Sequence, residues 1–142
     1  MPSPRDLREA RAGRWVRDMT VNQKRFADVV VLSVAGRVDH ATSEELRNAL
    51  SAPLARCVAG QDHLVLDFAG VDYISSAGLR VLMLAAKQAS AQKGFLALAA
   101  VQPLVREILE ISKFTLVLRT EPSVRDAVSA ASPAGIAAFD GR

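Results

Sequence analysis

Leu64-Val65-Leu66-Asp67-Phe68, then Ala69-Gly70-Val71-Asp72-Tyr73-Ile74, then Ser75-Ser76-Ala77-Gly78-Leu79 is the stretch that decides the fold. Residues 63–68 have the Val/Leu-rich composition of a short buried strand. The next six residues read as a loop, and the serine pair opens an apolar helix predicted over 76–93 and ended by Gly94. A hydroxyl at the mouth of a helix lies beside unpaired backbone N–H groups and the positive end of the helix dipole. That position favours a phosphate, which makes Ser75 and Ser76 candidate modification sites. It is also the ordinary place for an N-cap serine, in which case Gly78 only lets the helix pack closely on the sheet.

Working outward, residues 19–23 form a weak strand and residues 28–34 a strong one, with 24–27 as a hairpin connection. Val29-Val30-Val31-Leu32 is largely β-branched and continuously apolar, the pattern of a strand covered on both faces. Gly36 is predicted to end it. Thr42-Ser43-Glu44-Glu45 fits a capping box, with Thr42 capping and Glu45 reaching back. Leu46, Leu50, Leu54 and Cys57 then mark one apolar helix face, which Pro53 is expected to kink or break. A strand over 95–100 follows, then a helix from Pro103 with Val105, Ile108 and Leu109 inward, a strand over 114–118, and a short helix capped by Ser123 with Val124, Ala127 and Val128 inside.

The order β-β-α-β-α-β-α-β-α predicts an α/β domain with four helices and a mainly parallel, right-handed sheet entered by an N-terminal hairpin. In such open sheets, functional residues gather where strands end and helices begin. Asp39, after the second strand, and Ser75/Ser76, after the third, are therefore expected on one rim.

The 142 residues suit one domain, and half of them are apolar, enough for one core built from Leu, Val, Ile and Ala because aromatics are only 5%. Residues 1–18 hold five arginines, at every third position from Arg5 to Arg17, and three acids. The remaining residues hold 13 basic and 12 acidic side chains, so the globule is nearly neutral and a poor nucleic-acid binder by charge. Residues 1–18 read as a mobile basic leader, either a solvated extension or an arm for an acidic partner or a membrane surface. The domain is expected over 19–131, and 132–142, opening Ser132-Pro133-Ala134-Gly135, reads as a flexible tail.

Cys57 is the sole cysteine, and its place on the apolar stripe makes it a small core residue. His40 and His63 are too far apart in sequence for metal-ligand spacing, so no metal is expected. No run is long enough to span a bilayer and no secretory signal is visible, which points to a soluble, cytoplasmic protein. Ile74-Ser75-Ser76-Ala77-Gly78 lacks the first glycine of a nucleophile elbow, neither histidine has an evident orienting partner, and no Walker-type loop is present. Hydrolysis and nucleotide turnover are disfavoured, and neither an enzymatic role nor a cofactor is expected.

Asp67-Phe68-x-Gly70-Val71-x-Tyr73-Ile74-Ser75-Ser76-Ala77-Gly78-Leu79-Arg80-Val81-Leu82 resembles the signature of STAS domains, specifically the bacterial anti-sigma factor antagonists. Gly36-Arg37-Val38-Asp39-His40-Ala41-Thr42 resembles the same family's segment between the second strand and first helix. Element order and length agree over 19–131. The resemblance implies a partner-switching role in transcription signalling. The unphosphorylated antagonist binds an anti-sigma factor that is also a serine kinase of the histidine-kinase-like ATPase fold. Phosphorylation of a serine at the start of the second helix releases it, and a PP2C-type phosphatase reverses the change. The family's site reads D-S-S/T-G-L. Registering it on Gly78-Leu79 puts the modified residue at Ser76, with Ser75 in the acid's place and as the fallback site, and Ala77 where a second hydroxyl is common.

The resemblance carries Asp39 over as a partner-recognition residue, its other reading being a loop acid that ends the strand. His40 is either its companion or a plain surface residue. On the second helix, Leu79, Leu82, Met83 and Ala86 are the expected core face. Arg80, Leu84, Lys87 and Ala91 form a second stripe whose exposed leucine between two cations suits docking onto a protein, or is a solvated face with one incidental leucine. The expected partner-binding set is thus Asp39, His40, Ser75, Gly78, Arg80, Leu84 and Lys87. A competing role on the same fold is an accessory subunit that binds the ATPase of a lipid-transporting ABC complex. Such subunits keep the Ser-Ala-Gly-Leu run without needing phosphorylation.

Overall fold

The computed structural model describes residues 19–141, and the basic leader lies outside them. β1 (Thr20–Phe26) and β2 (Val29–Val38) pair antiparallel, from Thr20 opposite Ala35 to Phe26 opposite Val29. The turn between them is only Ala27-Asp28, so residues 24–26, expected in the connection, extend β1. The chain continues through α1 (Ser43–Ala55), β3 (His63–Ile74), α2 (Ser76–Ala91), β4 (Leu96–Ala99), α3 (Pro103–Ile111), a 3₁₀ turn (Phe114–Leu116), β5 (Arg119–Glu121), α4 (Val124–Ala131) and α5 (Pro133–Asp140). The sheet order is β1-β2-β3-β4-β5, and every pair after the hairpin is parallel.

From β2 to β5 each crossover steps to the next strand in the same direction. Crossovers of one hand that step one way place their helices on one face of the sheet. Side chains of α1, α2 and α3 accordingly share a core with Val30, Leu32, Leu64, Leu66, Phe68 and Leu98. The opposite face, with Val29, Val31, Val65, Ala97 and Ala99, is covered by α4 and α5. Alternate residues of β2 and β3 thus enter different cores, which is why both read as continuous apolar runs.

Four local expectations are corrected. Residues 69–74 are not a loop: β3 continues to Ile74, with Val71 and Ile74 buried, because β2 continues beside it. Gly36 does not end β2; it takes φ 102° at a register shift, and pairing resumes at Arg37 opposite Tyr73. Residues 114–118 are not a strand. Lys113 turns left-handed at φ 60°, and the following 3₁₀ turn buries Phe114 and Leu118 while exposing Leu116 and Val117, a spacing of four rather than two. Thr42 does not cap α1 through a capping box: its hydroxyl donates to the Arg37 carbonyl at 2.7 Å and accepts from the Asp39 N–H at 2.9 Å. Pro53 falls in the last turn of α1, two residues before its end.

The segment expected as a flexible tail is a fifth helix. Pro133 takes its first position, where a missing N–H is harmless. Ser132 Oγ accepts from the Gly135 N–H at 3.0 Å and donates to Asp28 Oδ1 at 2.6 Å, tying the helix start to the hairpin turn. Phe139 then packs on Phe26 with ring centroids 5.0 Å apart, and Arg125 binds Asp140 through both carboxylate oxygens. Replacing the half-buried ring by Phe139→Ala should lower unfolding stability by about 2 kcal/mol. A urea titration checks this: an unchanged midpoint would mean that the segment does not dock.

Candidate functional site

The last paired residues of β2 and β3 are Val38 and Ile74, and the Ser75 N–H donates to the Val38 carbonyl at 2.8 Å. The chains leaving these strands therefore emerge side by side, and Asp39-His40 and Ser75-Ser76 share one rim as expected. Asp39 organises its own loop. Its Oδ1 accepts from the N–H groups of Ala41 at 2.9 Å and Thr42 at 3.1 Å, and its carbonyl accepts from the Ser43 N–H at 2.9 Å. Partial burial disfavours the Asp39 charge, but the hydrogen bonds from Thr42 and Ala41, aided by the Arg37 charge, outweigh it and hold the carboxyl below its ordinary pKa. Arg37 lies 3.4 Å from Asp39 Oδ2 and stacks over Tyr73 at 4.1 Å from the ring centre. Asp39 is thus a structural cap of the α1 entrance that also presents a carboxylate at the rim.

The two serines are in different situations. Ser75 is the N-cap of α2, extended at φ −92° and ψ 175°, with its Oγ accepting from the Gly78 N–H at 3.3 Å. Ser76 is the first helical residue, is exposed, and its hydroxyl has no hydrogen-bond partner among the described residues. Gly78, expected among the partner-binding residues, is buried instead. A Cβ there would lie 2.7 Å from Val38 Cγ1 and 2.8 Å from Ile74 Cγ1, so this glycine holds α2 close against the strand ends. The buried face of α2 is Val81, Leu82, Ala85 and Ala89; Leu79, Met83 and Ala86, expected on the core face with Leu82, are only partly buried.

Ser76 opens onto a groove of about 400 Å³ between α1 and α2. His40, Arg80 and Leu84 line it as well, which brings together four of the residues singled out in the sequence. Leu84 is 52% exposed on the wall of this groove. The groove continues along the two helices past Arg47, Leu50, Leu54 and Gln88. Lys87 is not part of it: it lines a separate groove with Met83, Ala86, Ser90, Ala91 and Val117. Ser43, Glu44 and Arg47 of α1 are site residues that the sequence reading missed. Their spacing reads only as a solvated helix face, and it is the contact between α1 and α2 that turns this face toward Ser76.

Away from the rim, Cys57 is buried, and that burial pushes its thiol pKa up, as for an inert core residue. Among the described residues no group of three or more His, Cys, Asp or Glu side chains could hold a metal, and no helix is long and apolar enough to cross a membrane.

A hairpin-entered, mainly parallel five-stranded sheet with its crossover helices on one face is the architecture of a STAS domain. The STAS family model matches residues 20–127, and the chain belongs to that family. It is 37% identical over 113 residues to a candidate anti-sigma factor antagonist of Bordetella bronchiseptica, BtrV, a match covering 80% of this chain and 94% of that protein. The crystal structure of an anti-sigma factor antagonist from Mycobacterium paratuberculosis superposes with a TM-score of 0.73 at 24% identity, covering 80% of this chain and 94% of that one. The phosphorylated form of the Bacillus cell-fate determinant SpoIIAA superposes with a TM-score of 0.60 at 16% identity, covering 80% and 100%. At these identities the two superpositions speak for the fold.

Two measurements test the construction of the rim. Gly78→Ala should destabilise the domain by about 1–2 kcal/mol, the overpacking against Val38 and Ile74 exceeding the gain in helix propensity; an unchanged denaturation midpoint would contradict the close contact. Asp39 has a depressed folded pKa, so its stabilisation is complete above the unfolded carboxylate value of about 3.9 and is lost as pH falls through the folded value. The stability gap between wild type and Asp39→Asn should therefore be constant from pH 7 to about pH 5 and shrink below pH 4. A gap that widens on acidification would reverse the assignment.

Proposed function

We propose that this STAS domain is an anti-sigma factor antagonist in a bacterial partner-switching pathway, and that Ser76 is its switch. The unphosphorylated form binds an anti-sigma factor that is also an ATP-dependent serine kinase of the histidine-kinase-like fold. Phosphorylation of Ser76 weakens that complex, and a PP2C-type phosphatase restores it. The chain contributes a surface and a hydroxyl, while kinase and phosphatase supply the chemistry in the cytoplasm. It works without a cofactor of its own.

The observation that carries this reading is the division of labour between the serines. The hydroxyl of Ser75 is occupied as the helix cap, whereas that of Ser76 is exposed at the mouth of the α1–α2 groove with no intramolecular partner among the described residues. Family membership and the likeness to BtrV support the antagonist role, and SpoIIAA, which shares the fold, is known in phosphorylated and unphosphorylated forms. The partner surface runs from Asp39 and His40 across Ser75 and Ser76 to Arg80 and Leu84, with Lys87 on the flank.

A phosphate adds about −1.5 to −2 charges at neutral pH. On a free rim it is solvated; under a docked protein it must be desolvated and accommodated sterically. A loss of about 3 kcal/mol weakens binding roughly a hundredfold. Phosphopeptide mass spectrometry after incubation with the cognate kinase and ATP should find the modification at Ser76, and Ser76→Ala should abolish it; modification confined to Ser75 would refute the assignment. By calorimetry, phosphorylated protein should bind that kinase about a hundredfold more weakly, and Leu84→Asp at least tenfold more weakly with an unchanged circular-dichroism spectrum. Unaltered binding in both cases, with an ABC ATPase co-purifying instead, would favour the transport-subunit role.

A further inference from the structure

The groove beside Ser76 carries two arginines in unequal states. Arg47 of α1 is paired with Glu44 one turn earlier, Nη2 to Oε1 at 2.7 Å, and both side chains are well exposed. Arg80 of α2 has no carboxylate partner among the described residues. It sits four residues after Ser76, on the same helix face, and helical side chains lean toward the helix N-terminus. Arg80 and Ser76 thus line the groove from α2, one helical turn apart, and Arg47 lines it from α1.

We infer that Arg80 and Arg47 form a clamp that captures the phosphate of modified Ser76 within the same chain, Arg47 exchanging its Glu44 carboxylate for the phosphate. This rests on the reading that Ser76 is the modified residue. The exchange is favourable because a guanidinium matches phosphate oxygens in the same forked geometry as a carboxylate, and the phosphate brings about twice the charge. The groove's fixed charges, Glu44, Arg47 and Arg80, sum to +1 before modification and to about −1 after it. Phosphorylation thus withdraws both guanidinium groups from any acidic surface the unmodified groove would receive, and releases the Glu44 carboxylate to the rim. The switch then acts by removing cations the partner uses as well as by adding a charge it must avoid.

The test is a ³¹P NMR titration of full-length protein carrying phosphoserine incorporated at position 76 during translation. An unperturbed phosphoserine has its second pKa at about 6. In wild type the clamp should lower it by about half a unit to one unit. Arg80→Gln and Arg47→Gln should each recover part of that shift, and the double variant should keep only the depression that the helix N-terminus itself supplies. His40 lines the same groove, so a His40→Gln protein run in parallel separates its contribution. Lys87→Gln, in the other groove, should leave the value unchanged. A wild-type pKa equal to that of the double variant overturns the clamp. That failure is distinct from failure of the switch itself, which shows as equal affinity of modified and unmodified protein for the kinase.

Discussion

The parallel pairing of β2 with β3 is the constraint on which the rest depends. It runs from Val29 opposite His63 to Val38 opposite Ile74 and survives two register shifts on the way. Residues 29–32 and 64–66 are buried on both faces, so a slip by one residue would send each of these side chains into the wrong core. The irregularities near Gly36 and Gly70 absorb the mismatch in the middle without undoing the pairing at the end. Because the strands finish together, the loops of Asp39 and Ser75 leave at the same height. Gly78 then seats α2 on that junction, and the helix direction fixes which hydroxyl faces out.

The architecture was legible because it is written in local patterns. Continuous apolar runs marked β2, β3 and β4, spacings of three and four marked the helices, and their alternation implied a parallel sheet. The common rim of Asp39 and Ser76 followed from that order alone. What escaped reading depended on contacts between segments distant in sequence. Residues 69–74 look like a loop, with Gly70 and two polar positions, until β2 is seen to run alongside. Residues 132–140 look like a tail because Pro and Gly are loop residues, yet Pro133 opens a helix and Gly135 fits where a Cβ would strike Val29. Thr42 fits a capping pattern, but its hydroxyl finds the Arg37 carbonyl, a partner that exists only once β2 turns toward α1.

The same logic explains why half of the groove was invisible. Arg80 and Leu84 stand out because they belong to a helix already under suspicion. Glu44 and Arg47 form an ordinary exposed pair three residues apart, the kind that contributes little to stability. Their significance comes from the one-directional stepping of the crossovers, which leaves α1 and α2 adjacent on one face with a furrow between them. Lys87 shows the converse. It continues the Arg80–Leu84 stripe in sequence, but the helix rotates it toward Val117 and into a different furrow.

Ser75 stands where the D-S-S/T-G-L pattern that the sequence resembles has aspartate, and the geometry says what such an exchange would preserve. Serine and aspartate are comparably good N-caps, and Ser75 Oγ accepts the Gly78 N–H that a carboxylate would accept. The cap, and with it the outward orientation of Ser76, is retained. What is lost is a negative charge at the positive end of α2, worth a few tenths to one kcal/mol when exposed. The site is correspondingly more cationic before modification, with Arg80 and Arg47 beside Ser76 and no carboxylate at position 75. In the proposed switch, a phosphate on Ser76 would meet less repulsion at this helix start than it would next to an aspartate. The serine therefore keeps the scaffold of the proposed switch while changing its electrostatic background, and of the nearby acids, Asp39 is tied into its own loop by Ala41 and Thr42 while Glu44 is paired with Arg47.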